Sequence, residues 1–513
     1  MSFDLSLLVG GFLIAYIVLK KVLFYWRKQS FVKKYGCKEP LHLKPPLFGI
    51  PNLLEIMKHK RNGDLTEFSD LTFDSVGTQT FTLTVMGETM FMTTDPENFK
   101  AMLATQFNDF SIGRRYQILS PVIGDSIFTL DGEGWKHSRA MLRPQFVREQ
   151  VGHVQALEPH LQLLAKHIRS YKGETVDLQQ LFTKFTLDTA TEFLFGQSVH
   201  TLYDERIGMK TPDDVPYAKD FTDGLFVTQK YTSERGYAQQ FYWLIDGKEF
   251  RTAIANVHKF ARFYVDRALN FSQAELEKKS QESYTFLYEL VQQTRDPKVL
   301  QDQLLAIMLA GRDTTSSLLS FIFYELSRNP GIWEKLKKEV YENFGSGTEK
   351  DIAKITFESL KKCNYVKWVI NETLRMYPTV PVNLRVSNKD TSLPKGGGED
   401  GKSPIFIPRG TTVGFRVYST QRNKEYYGED PDVFRPERWA DIGKLGWAYL
   451  PFLGGPRTCI GQQFALTEAG YILVRIAQLF PNLKSKNSVH YPPKKTLNVI
   501  FNLFEGCLVE MGE

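Results

Sequence analysis

The sequence predicts a mainly α-helical fold with a small β portion, carried behind an N-terminal apolar helix. Three stretches support this expectation. Leu5 to Leu19 is apolar apart from Ser6 and two glycines, and Val22 to Trp26 extends the run past Lys20 and Lys21. With those lysines snorkelling, it reaches the roughly 20 residues that a membrane-spanning helix needs. The stretch VGTQTFTLTVMGETMFMTTD alternates apolar and polar residues about a turn at Gly87, the pattern of paired strands. Gln301 to Arg328 is long, continuous and apolar, and it predicts a helix crossing most of a domain before Asn329-Pro330 ends it.

In 513 residues with 42% hydrophobic content, no Gly/Ser-rich or Pro-rich linker and no internal repeat marks a division of the main body. The expectation is a membrane anchor over 1–28, a basic and Pro-rich linker over 29–52, and one large domain over 53–513. Lys and Arg number 64 against 58 Asp and Glu. The surplus lies in the first segment, where Lys20, Lys21, Arg27, Lys28, Lys33, Lys34 and Lys38 face only Asp4. The rest of the chain is formally neutral, which argues against a nucleic-acid partner and for a membrane end. A cleaved signal peptide is the rival reading, but no basic region precedes the run and no small-residue cleavage pattern follows it. An interfacial helix is the other alternative. The basic flank follows the apolar run, so the positive-inside rule places the large domain in the cytosol. Cys37, Cys363, Cys459 and Cys507 are too few for a disulfide framework and suit a reducing compartment. KPPLFGIP, Lys44 to Pro51, stiffens the exit from the membrane.

Within the large domain, Trp135 and Arg139 stand four apart and share a helix face. Lys136, Arg143 and Arg148 make a basic patch nearby, a solvated face or a docking surface for an acidic electron donor. Arg114 and Arg115 read as a solvated loop pair, with reception of a substrate carboxylate as the alternative. His200 to Phe221 is a polar loop with breakers, expected near a substrate entrance. The Gln301–Arg328 pattern carries AGRDTTS in its middle. Gly311 there costs about 1 kcal/mol relative to Ala, and the Thr314 hydroxyl can bond back to the carbonyl of Ala310. Rules broken inside a buried helix point to function. Glu372 and Arg375 form an i, i+3 pair among apolar neighbours, so burial with further partners is expected. KGGGEDGKSP lacks the ending and the following helix of a phosphate loop, and it reads as a hairpin tip.

The stretch PFLGGPRTCIG places Cys459 after a turn-rich run and just before an apolar helical pattern, QQFALTEAGYILVRIAQLF. Helix N-terminal amides favour a thiolate there, a ligand or nucleophile awaiting a partner. A lone loop cysteine is more often simply buried, but the whole pattern F-x-x-G-x-R-x-C-x-G is met by Phe452, Gly455, Arg457, Cys459 and Gly461. At this point the chain resembles the cytochrome P450 family of haem-thiolate monooxygenases. The resemblance implies the family fold, haem b as cofactor, and Cys459 as axial ligand of its iron, a thiolate that favours O–O cleavage.

It further implies that Trp135, Arg139, Arg385 and Arg457 hold the haem propionates. Gly311 then admits dioxygen, Thr314 hydrogen-bonds it, and Asp313 helps relay protons. For Thr315 and Ser316 the alternative is a structural role lining the groove. Glu372, Arg375 and Arg438 of FRPERW form a structural triad, with Trp439 replacing the family's usual Phe. No dinucleotide fingerprint is present and the chain stops soon after Cys459, so electrons are expected from an NADPH-dependent cytochrome P450 reductase, with cytochrome b5 as a second candidate donor, at the endoplasmic reticulum membrane. The runs FNDFSIG, GDSIFTLDGEGWKHSRAMLRPQF, LDTATEFLFG, GGPRTCIGQQFALTEA and LPKGGG are most similar to the yeast group that terminally hydroxylates n-alkanes and fatty acids. A family member acting on sterols or foreign compounds is the runner-up. A haem-thiolate isomerase or dehydratase, or a haem sensor, has no need of the Asp313–Thr314 pair.

Overall fold

The computed structural model describes residues 2–43, 47–146, 154–212, 214–282 and 284–513. The apolar N-terminus forms one helix, α1 (Ser2–Tyr35). Its segment Val9–Tyr35 is long and apolar enough to cross a membrane and is not buried. Helix and domain meet earlier than the sequence suggests. α1 runs seven residues into the stretch expected to be linker, and β1 (Leu41–Leu43) already pairs in parallel with β2 (Thr80–Val85). The last turns of α1 lie on the domain: the rings of Phe31 and Phe406 are 5.0 Å apart, and Arg27 is 2.5 Å from Asp390. Of the stiffening prolines, Pro45 and Pro46 fall outside the described residues. Pro51 sits in the first turn of α2 (Ile50–Asn62), where its missing N–H costs nothing.

β2 and β3 (Glu88–Thr93) form the expected antiparallel hairpin. Met86 and Gly87 both have positive φ at its tip, the twist that a two-residue hairpin turn requires. The hairpin belongs to a six-stranded sheet completed by β4 (Phe110–Ser111), β5 (Val382–Ser387) and β8 (Thr412–Arg416). The glycine-rich LPKGGG stretch lies in a separate hairpin of β6 (Thr391–Gly397) and β7 (Ser403–Ile407).

The remainder is mostly helical. The elements that build the site are α3 (Arg115–Ile123), α4 (Gly132–Leu142), α5 (Glu158–Ser170), α6 (Leu178–Phe195), α7 (Ala218–Tyr237), α8 (Pro297–Arg328), α9 (Asn364–Met376) and α10 (Gln462–Leu479). α8 begins where Asp296 accepts hydrogen bonds from the amides of Lys298 and Val299, with Pro297 in its first turn. Its 32 residues span roughly 48 Å at about 1.5 Å each, so it threads the core and packs against α6, α9 and α10. It stays continuously helical through Gly311.

The loop 200–221 does not border the central cavity. It folds onto α5 and α6, where Asp188 accepts from the amides of Thr201 and Leu202 and His167 contacts the Leu202 carbonyl. Its expected place at a substrate entrance is therefore not what the fold gives it.

Candidate functional site

One large cavity of about 1530 Å³ lies between α8 and the Cys459 loop. Cys459 lies three positions before the start of α10, and its amide donates to the Phe452 carbonyl at 2.9 Å, which fixes the loop. The left-handed Gly455 makes that loop possible, because a Cβ there would lie 1.8 Å from the Leu103 carbonyl oxygen. The Cys459 side chain is surrounded by protein yet open to the cavity. Burial pushes its thiol pKa up, against the Gly461 amide and the positive charge of Arg139. The amide effect read from the sequence is present, but burial outweighs it.

Across the cavity, Gly311 and Thr314 of α8 form part of the wall. A Cβ built on Gly311 meets nothing within 4 Å. The Thr314 hydroxyl donates to the Ala310 carbonyl at 2.7 Å, which leaves its oxygen free to accept. Asp313 does not border the cavity. It is buried on the α7 side, 2.6 Å from Arg312 Nε, and accepts from Gln229 Nε2 at 2.9 Å. Ser316 also turns away and bonds to Thr183, whereas Thr315 faces the cavity.

On one side of the cavity stand Trp135, Arg139, Arg385 and Arg457, joined by Arg115. Arg457 lies over the Trp135 ring at 4.4 Å and pairs with Asp131 at 2.7 Å. Arg115 and Arg385 both donate to Asn383 Oδ1, at 2.7 and 3.1 Å. Burial, then the neighbouring arginines, pull Arg385 down to about 9; burial and Arg457 pull Arg115 down to about 10. Among the described residues, Asp131 offsets the charge of these two arginines. A buried surplus of guanidinium is costly unless an anion joins it. A flat group bearing two carboxylates, with a metal facing Cys459, fits both the charge and the volume.

Sequence reasoning missed Arg115, Asp131 and Asn383 as members of this cluster. Arg114 and Arg115 are not a solvated pair: Arg114 bonds to Glu88 at 2.7 Å and Arg115 belongs to the arginine cluster. Of the basic patch, Lys136 is exposed and paired with Glu133 at 2.6 Å, Arg143 is exposed, and Arg148 lies outside the described residues.

Behind the Cys459 loop, Glu372 and Arg375 are fully buried and form a two-bond pair at 2.8 and 2.9 Å. Arg438 reaches Glu372 at 3.3 Å, and the Arg435 amide donates to it at 3.0 Å. The Trp439 indole donates to Glu372 Oε2 at 3.0 Å, so the Trp in place of Phe adds a donor to the buried carboxylate. Trp439→Phe should cost about 1.5–3 kcal/mol in denaturant unfolding, the penalty for removing a hydrogen bond to a charged group. An unchanged midpoint would mean that water replaces the indole.

The fold and this site define a haem-thiolate protein. The family model for cytochrome P450 matches residues 44–502, and the chain belongs to that family. It is a monooxygenase that carries iron protoporphyrin IX. The chain is 56% identical over 487 residues to cytochrome P450 52A3-A of Candida maltosa, covering 94% of this chain and 93% of the relative. It is 55% identical over 484 residues to cytochrome P450 52A6 of Candida tropicalis, covering 93% and 92%. To cytochrome P450 52A13 of Debaryomyces hansenii it is 52% identical over 505 residues, covering 98% and 96%.

Proposed function

We propose that this protein hydroxylates long aliphatic chains, n-alkanes or fatty acids, at or near the terminal methyl. The reading draws on its likeness to cytochromes P450 of the 52A group and on the cavity itself. α2 contributes Leu53 and Ile56 to the cavity while Leu54 and Met57 on the same helix are exposed outward, as are Leu47 and Phe48 just before it. An apolar opening bordered by exposed apolar surface suits substrates that arrive from lipid. Two arginines of the cavity wall are paired, Arg114 with Glu88 and Arg416 with Asp70. That favours a hydrocarbon over a polar substrate.

Bound haem supplies dioxygen activation and insertion of one oxygen atom into a C–H bond. In our reading Cys459 would ligate the iron, and Arg115, Arg139, Arg385, Arg457 and Trp135 would hold the carboxylates of the haem. Gly311 leaves room in the cavity wall, and Thr314 would hold a proton at its hydroxyl oxygen. Asp313 accepts protons on the α7 side and is held in register by Arg312 and Gln229. Glu372, Arg375 and Arg438 keep the cysteine loop in place. α1 anchors the protein in the endoplasmic reticulum membrane with the domain in the cytosol. Electrons come from an NADPH-dependent cytochrome P450 reductase, with cytochrome b5 as a second donor.

The test is turnover of purified full-length protein with reductase, NADPH and labelled dioxygen across a series of alkanes and fatty acids. Label should enter the terminal carbon; incorporation into sterols or aromatic compounds alone would overturn the substrate assignment. Thr314→Ala should keep oxidising NADPH while product per NADPH falls on the order of tenfold or more and peroxide rises. Unchanged coupling would remove Thr314 from the proton step.

A further inference from the structure

Where α2 meets the end of α7, the rim of the cavity is polar and holds a cation without a counter-ion. Leu53, Ile56 and Lys60 recur at three- and four-residue spacing on α2, so Lys60 shares the helix face that borders the cavity. Its ammonium lies 3.8 Å from the centre of the Tyr237 ring and donates to the Ser233 hydroxyl at 3.4 Å. Ser233 in turn contacts Asn498 Oδ1 at 3.3 Å, and the Tyr237 hydroxyl donates to the Leu497 carbonyl at 2.8 Å. Ser233, Tyr237, Leu497 and Asn498 all line the cavity. Three parts of the chain therefore converge on one half-buried lysine.

Among the described residues Lys60 forms no ion pair. Burial pulls its ammonium pKa down, and Glu234, acting from beyond contact, does not make up for it. The wall arginines Arg114 and Arg416 differ, because each touches a carboxylate. A partly desolvated cation is stabilised by an anion that comes to it.

We propose that Lys60, with Ser233 and Asn498, binds the carboxylate of a long-chain fatty acid, and that the protein takes such acids in preference to n-alkanes. The inference rests on the aliphatic reading above and narrows it to one substrate class. An ammonium has three donors, and Lys60 spends one on Ser233, so the others are open to the carboxylate oxygens. The amide nitrogen of Asn498, without a protein partner among the described residues, supplies a further donor. Leu83, Val85, Met90, Val382 and Leu384 give the wall an apolar length, so the guest meets this charge at one end alone. An acid held at the rim leaves its tail to run inward, methyl end first.

Equilibrium binding to the full-length, haem-loaded protein tests the site, with hexadecanoate and hexadecanol as probes that share a tail and differ in the head group. The wild type should bind the acid more tightly. In Lys60→Gln the ratio of the two affinities should shrink about fivefold, the size expected of a partly exposed ion pair. Lys60→Arg should keep most of the preference, Lys60→Glu should reverse it, and Asn498→Ala should narrow it by a smaller factor. Rising salt should shrink the wild-type ratio, which tests the charge without any substitution. In turnover, the KM of Lys60→Gln for hexadecanoate should rise by a similar factor while kcat changes little, the mark of lost ground-state binding.

Equal affinity of the wild type for acid and alcohol would overturn the proposal. So would a ratio that Lys60→Gln leaves unchanged, including the case in which both probes are lost alike, or a higher kcat/KM for n-hexadecane than for hexadecanoate. A wild type that oxidises no aliphatic compound would count against the function proposed above, while the binding ratio would still decide the role of Lys60.

Discussion

Cys459→Ser should reduce product formation to background and eliminate the reduced carbonyl spectrum of thiolate ligation. The substitution keeps the backbone bond from residue 459 to the Phe452 carbonyl, and it leaves the left-handed turn at Gly455 untouched. The fold should therefore survive, and circular dichroism and thermal unfolding of the haem-free protein should match the wild type. What is lost is electron donation from a soft sulfur; a serine hydroxyl at neutral pH does not supply it. A serine variant that kept the carbonyl spectrum would show that the iron is held by another residue.

The second large effect is expected at Glu372. Removing this carboxylate by Glu372→Ala leaves Arg375, itself fully buried, and the equally buried Arg438 without their shared counter-ion. Breaking one partner of a buried pair costs about 3–5 kcal/mol, a large part of a domain's stability. The loss should appear as protein that expresses poorly or fails to retain haem, because the same carboxylate also binds the Arg435 amide and the Trp439 indole. Glu372→Gln keeps one acceptor oxygen and should fall between alanine and wild type. Full haem occupancy and wild-type unfolding in the alanine variant would mean that the arginines find enough carbonyl partners, such as those Arg375 already has at Gln421 and Pro431.

What could be read in the sequence was what depends on short spacing. The Cys459 loop, the Gly311–Thr314 segment of α8, the Glu372–Arg375 pair and the turn at Gly87 each lie within about one helical turn or one hairpin, where local geometry dictates who meets whom. The arginine cluster was only half visible, since Arg115, Asp131 and Asn383 come from separate parts of the chain and converge only when β5 reaches α3. The full length of α1 was hidden for a related reason. Composition shows a basic stretch after Trp26, but lysines and arginines are good helix formers, and nothing before Gly36 breaks the helix.

That unbroken helix bears on motion. At about 1.5 Å per residue, the 34 residues of α1 measure roughly 51 Å, well beyond a hydrocarbon layer of about 30 Å. The surplus length is braced against the β6–β7 hairpin by Phe31 on Phe406 and Arg27 on Asp390. A rod clamped at its base does not swivel as a string would. The angle at which the domain leans toward the lipid surface is thereby restricted, and with it the side of the molecule from which an oily guest can climb in.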